Sequence, residues 1–221
     1  MSREVLLKIK DLVDSLLKEL PSPEVEAGKK QEKLRFNITW MKGMSSDFKK
    51  TYLKSLDIAT TVANSVEFKD KVLAFPFKET DGMNSQQIYE RFMNGQMSSD
   101  ETVDHSIDTG VNVVYDPNGP YGYSYLGDDE YTLNSYLLFK EDEIVNNLVH
   151  EYQHLEGFTH EVAWDYSVPY GMGNIAGELA RRVMQNKKPL TPLPEGLAAD
   201  VKKVKFVDSR FSEGDVKKLV G

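Results

Sequence analysis

The chain has 221 residues, 40% hydrophobic and 28% charged, which suits one moderately large domain or one domain split by a cleft. Its formal net charge of −8 argues against nonspecific nucleic-acid binding, and zero cysteines exclude disulfides, thiolate metal ligands and a cysteine-based latency switch. No apolar run approaches a membrane span, so no membrane partner is expected. The first twenty residues are charged and amphipathic, unlike a secretion signal. Localisation therefore stays open between a chain made without such a signal and a secreted one that has lost it.

Residues 3–19 place Val5, Ile9, Leu12, Val13 and Leu16 at helical spacing, and Pro21 and Pro23 stop that helix. Residues 24–33 read as a polar linker. Leu34 to Trp40 alternates as a strand, and Ser45 or Ser46 caps a long helix running to about residue 65. Lys71 to Phe77 reads as a second strand, and a polar stretch from 79 to 108 holds a short helix at 85–93. Val111 to Tyr115 is the third strand, ended by the turn Asp116-Pro117-Asn118-Gly119. Tyr121 to Leu126 and Leu133 to Phe139 are the fourth and fifth. A helix begins at Glu141, another covers 174–184, and residues 187–221 give a Pro-rich connection, a short strand and a short helix.

The helix from Glu141 carries the chemistry. Residues 150–160 read HEYQHLEGFTH and fit H-E-x-x-H-x-x-G-x-x-H at every fixed position: His150, Glu151, His154, Gly157 and His160. Residues four apart share a helix face, so His150 and His154 can share a metal. Glu151 projects to one side, toward a metal-bound water. Gly157 can adopt a left-handed conformation and bring His160 back as a third nitrogen ligand. Three imidazoles leave a tetrahedral zinc one open position, the arrangement of a catalytic site. Cobalt, manganese or iron could also occupy such a ligand set. Three of the chain's four histidines are in this run; the fourth, His105, sits beside Asp100, Glu101, Asp104 and Asp108, which reads as a solvated loop rather than a calcium site.

The pattern resembles that of the metzincin zinc peptidases, and GFTHE at 157–161 is similar to astacins locally. The resemblance implies an α+β, zincin-like fold: a mixed twisted sheet with long helices in an N-terminal lobe, the zinc helix at the cleft floor, and a small, mostly helical C-terminal lobe. It divides the chain into an N-terminal helix and linker (1–30), a catalytic lobe (31–157) and a C-terminal lobe (158–221). It implies one Zn2+ on His150, His154 and His160, with Glu151 as general base in peptide-bond hydrolysis. It places a peptide or protein substrate along the edge strand at 122–127; a plain surface hairpin is the other reading of that segment. It makes Met172 the candidate for the methionine of a tight turn beneath the zinc, with core packing as the alternative. Tyr170 is the favoured oxyanion-stabilising tyrosine, Tyr152 and Tyr166 are expected to pack, and Glu161 is expected to make a structural hydrogen bond or ion pair.

The expected function is a zinc-dependent endopeptidase. The alternatives are a dedicated zinc hydrolase, acting on a peptidoglycan cross-bridge or a single partner protein, and a non-catalytic structural or binding protein. Residues 1–22 fit a prosegment, a docking helix or a helix packed on its own domain. Oligomeric state is left open.

Overall fold

The computed structural model describes residues 32–161, 164–185 and 188–194, all within a compact unit spanning Gln31–Gly221. The helix expected at 3–19, the prosegment reading of 1–22 and the elements expected beyond residue 194 lie outside the described residues. In chain order the elements are β1 (Arg35–Lys42), α1 (Ser46–Ala63), α2 (Val66–Ala74), α3 (Ser85–Asn94), β2 (Ser106–Val114), β3 (Gly122–Ser124), β4 (Glu130–Asn134), α4 (Glu141–Leu155) and α5 (Val168–Met184). The described residues thus form an α+β fold with five α-helices and one small mixed sheet.

The sheet order is β1-β2-β4-β3. β1 and β4 both run parallel to β2, and β3 runs antiparallel to β4 with Ser124 opposite Tyr131. That order leaves β3 as an edge, which is what sets its relation to α4. The buried side chains form one cluster drawn from the sheet and from all five helices. At its centre the Phe92 ring lies 5.5 Å from Phe68 and 5.7 Å from Tyr152. Each fully buried aromatic of this kind contributes about 1.5–3 kcal/mol through removal from water.

Several elements differ from the sequence reading. Lys71 to Phe77 is not a strand; helix α2 covers Val66–Ala74. The Ser65 side chain accepts from the Phe68 N–H as its cap, and Phe68 and Val72, four apart, bury one face. The expected fifth strand ends early, because Asn134 bends the chain. Its amide donates to the Asp116 and Pro120 carbonyls at 2.7 and 2.9 Å and accepts from the Tyr136 N–H. β2 starts at Ser106, five residues before the expected start, because pairing with Arg35 of β1 holds it there.

The largest change is at α5. It begins at Val168 rather than 174, with Pro169 in the first turn, where the missing N–H costs nothing. Met172 is therefore a fully buried helical residue, and the tight methionine-bearing turn expected there is a helix. Gly173 tolerates this placement because α5 crosses α4 closely: a Cβ at Gly173 would lie 2.8 Å from the Asn146 carbonyl oxygen and 3.1 Å from the His150 Cβ. The two helices are also tied by Arg181, whose Nε donates to Asp142 at 2.8 Å.

Gly173→Ala is expected to force the helices apart. The overpacking cost of about 1–3 kcal/mol outweighs a helix-propensity gain of up to about 1 kcal/mol. Urea unfolding in the presence of a chelator measures the loss, and a variant as stable as the parent would refute the close crossing.

Candidate metal centre and cleft

Helix α4 supplies two of the three histidines on one face, and the chain leaves the helix through Gly157, whose φ of 111° is open to glycine at little cost. A side chain there would also meet the Ser98 hydroxyl at 2.9 Å. The reversal returns His160 to the helix. One ligand nitrogen from each of His150, His154 and His160 then lies within 4.8 Å of the other two. Nitrogens on a tetrahedral ion are about 3.4 Å apart, given metal–nitrogen distances near 2.1 Å. Small side-chain rotations span that difference, so the group can hold a metal ion.

The surroundings favour the ligand form of the imidazoles. The Phe158 carbonyl lies 2.7 Å from His154 Nδ1, which leaves Nε2 for a metal. His150 bonds the backbone of Pro169. Burial, then the neighbouring His154 and His160, push the His150 pKa down to about 3. Burial also lowers His154. Neutral imidazoles bind metal without first losing a proton.

Glu151 is 2% exposed yet borders the cleft. Its two carboxylate oxygens are held separately. Ser124 Oγ donates to Oε2 at 3.0 Å, and Asn147 Nδ2 donates to Oε1 at 3.2 Å. Ser124 Oγ also lies 3.0 Å from the Glu151 backbone carbonyl. Burial raises the Glu151 pKa to about 7, against the lowering effect of those two hydrogen bonds. A carboxylate with that pKa can accept and return a proton near neutrality.

Tyr170, in the first turn of α5, brings its ring to 4.5 Å from that of His150 and 4.8 Å from that of His160. Burial and the nearby Glu151 and Asp165 raise its pKa, so its hydroxyl stays a donor. The histidines, Glu151 and Tyr170 line one open cleft of about 700 Å³, with Gly122 to Ser124 on one wall and Asn146, Asn147 and Asn174 on others.

The remaining sequence candidates fall elsewhere. Tyr152 is buried with its hydroxyl on the Gln96 carbonyl, and Tyr166 packs beside Phe75 and Lys78. Tyr152 packs as expected, whereas Tyr166 is 47% exposed. Glu161 lies exposed on the cleft wall. His105 bonds the Met93 carbonyl in the loop before β2. Nearby acids serve that loop: Glu101 pairs with Arg91, and Asp104 accepts from the Ser106 N–H.

Three site residues escaped the sequence reading. Asn147 stands four residues before Glu151 on the same helix, a spacing that could have been noticed. Ser124 carries no such signal, because only the sheet brings it to α4. The Trp164 ring lies 5.8 Å from that of His160. No protein-family model, curated protein or solved structure matches this chain.

Two outcomes test the site. His154→Ala should lose stoichiometric metal in a direct metal-content assay; full loading of that variant would refute the ligand set. The second concerns pH. The folded pKa of Glu151 lies above its unfolded value, so its charge costs stability as pH rises from about 4.5 to about 7. Glu151→Gln should therefore stabilise the metal-free protein by up to about 3 kcal/mol near pH 8 and by almost nothing near pH 4. Chemical denaturation at both pH values reads this. His150 has the opposite slope: its depressed pKa withdraws stability as pH falls below about 6.5.

Proposed function

We propose that this chain is a zinc-dependent endopeptidase of metzincin type. The observation that carries the reading is the convergence of three imidazoles beside a buried, hydrogen-bonded carboxylate on an open cleft. A zinc ion on His150, His154 and His160 would supply Lewis acidity, acidifying water and polarising a carbonyl.

The protein's own groups supply the rest. Glu151 accepts the proton of the attacking water and delivers it to the leaving amine. Ser124 and Asn147 hold its two oxygens, so the carboxylate reacts from a fixed position rather than a rotating one. The Tyr170 hydroxyl donates to the oxyanion that develops on the scissile carbonyl. β3 has β4 on one side and no strand on the other among the described residues, which leaves backbone groups for an extended peptide.

The test is cleavage of a diverse peptide library by the zinc-loaded protein beside Glu151→Gln. The variant should keep its metal and lose turnover by a factor of about 100 to 10,000, the usual contribution of a positioned proton-transfer group. Undiminished cleavage by the variant would sink the mechanism. No cleavage by the parent would move the reading to a hydrolase dedicated to one target.

A further inference from the structure

β3 has two faces with different contents. Gly122 and Ser124 point toward α4: Ser124 bonds Glu151, and a Cβ on Gly122 would come within 3.0 Å of Glu151 Oε1. By strand alternation Tyr123 points the other way, and Tyr121 and Tyr125 flank β3 one residue beyond its ends. Tyr121, Tyr123 and Tyr125 are 57%, 38% and 66% exposed, and the rings of Tyr123 and Tyr125 lie 5.8 Å apart. Tyr115 and Tyr136, 5.1 Å apart and edge to face, are exposed as well. Exposed aromatic rings in this number signal a binding surface.

The charge around them has one sign. Residues 115–139 contain Asp116, Asp128, Asp129 and Glu130 but no Lys or Arg. The cleft is lined by Glu143, Glu151 and Glu161, again with no Lys or Arg. Glu143 is partly neutralised by Lys140 at 3.5 Å, so the acids of residues 115–139 carry most of the field.

From these observations we infer that the cleft selects basic, extended polypeptide segments, with Tyr121, Tyr123 and Tyr125 as a ladder for alternate Lys or Arg side chains. The inference rests on the endopeptidase reading and names its substrate class. A peptide paired in extended form beside β3 presents every second side chain to the tyrosine face, at a repeat of about 6.7 Å, against 5.8 Å between the Tyr123 and Tyr125 rings. A cation over a tyrosine ring is attracted by the ring's quadrupole, and the acidic surroundings add long-range attraction.

Binding and cleavage are read separately. Fluorescein-labelled alternating Lys-Ala, Gln-Ala and Glu-Ala peptides of equal length are titrated by polarisation against full-length Glu151→Gln, with and without zinc. The Lys-Ala peptide should bind at least about tenfold tighter than the other two, and the preference should shrink at high salt. Replacing Tyr121, Tyr123 and Tyr125 by Leu keeps apolar surface but removes the ring faces, and should cost about tenfold for the Lys-Ala peptide alone. Equal binding of all three peptides, preference for the neutral or acidic one, or full affinity in the Leu variant would overturn the inference.

Cleavage by the wild-type protein then separates the two readings. Cuts in library peptides with no enrichment of basic residues leave the endopeptidase standing and remove the ladder. Ladder-dependent binding of Lys-Ala without any cleavage in the library does the reverse.

Discussion

The site depends on how closely α4 and α5 cross. α4 carries His150, Glu151 and His154, and α5 carries Tyr170 and the Pro169 carbonyl group. Only glycine at 173 lets the second helix sit against the Asn146 backbone, and that contact is one side chain away from His150. A helix pair held by larger residues would sit farther apart, since interaxial distance follows the side chains at the contact. Tyr170 would then leave the imidazoles it now touches. The Asp142–Arg181 pair fixes the other end of the same crossing, so the separation is set at two places along the helices.

Burial is the second constraint, and it acts on Glu151 and His150 in opposite senses. Taking Glu151 out of water favours its protonated form, while taking His150 out of water favours its neutral form. Burial therefore holds His150 uncharged and Glu151 about half protonated near neutrality. Such a site is short of positive charge. A divalent cation on the imidazoles would repair that deficit, and its field would draw the Glu151 proton off. The arrangement costs the metal-free fold stability at both ends of the pH range, and each half of that cost points toward cation binding.

What the sequence made legible was local. The spacing of His150 and His154, the reversal at Gly157 and the return of His160 all follow from helix geometry and one backbone conformation, within eleven residues. Alternation placed β1, and the helix at 85 was found almost to the residue. Lys71 to Phe77 misled because its apolar residues fit either period when read alone. The Ser65 cap and the Phe68–Val72 face decide for helix, and both start upstream of the segment. Met172 misled for a different reason. The resemblance implied a tight turn there, but Pro169 is in a first helical turn, and Gly171 and Gly173 are small because Phe75, Phe77 and Asn146 leave no room. Glycine there records a close neighbour, and the neighbour is distant in sequence. Ser124 was out of reach for the same reason.

The short strand β3 shows why register matters more than length in this fold. Three residues suffice because strand period two separates their duties: Gly122 and Ser124 meet the buried Glu151, and Tyr123 meets the solvent. A slip of one residue against β4 would drive a tyrosine into the space beside Glu151, where even a Cβ at 122 has no room. It would also turn Ser124 away and leave a buried carboxylate oxygen without its donor, at a cost of about 1–3 kcal/mol. Register here is held by the Tyr121 carbonyl on the Asn134 N–H at 2.9 Å and by the Asn134 side chain on Pro120. Asn134 lies outside the cleft, yet it sets which face of β3 the cleft residues see.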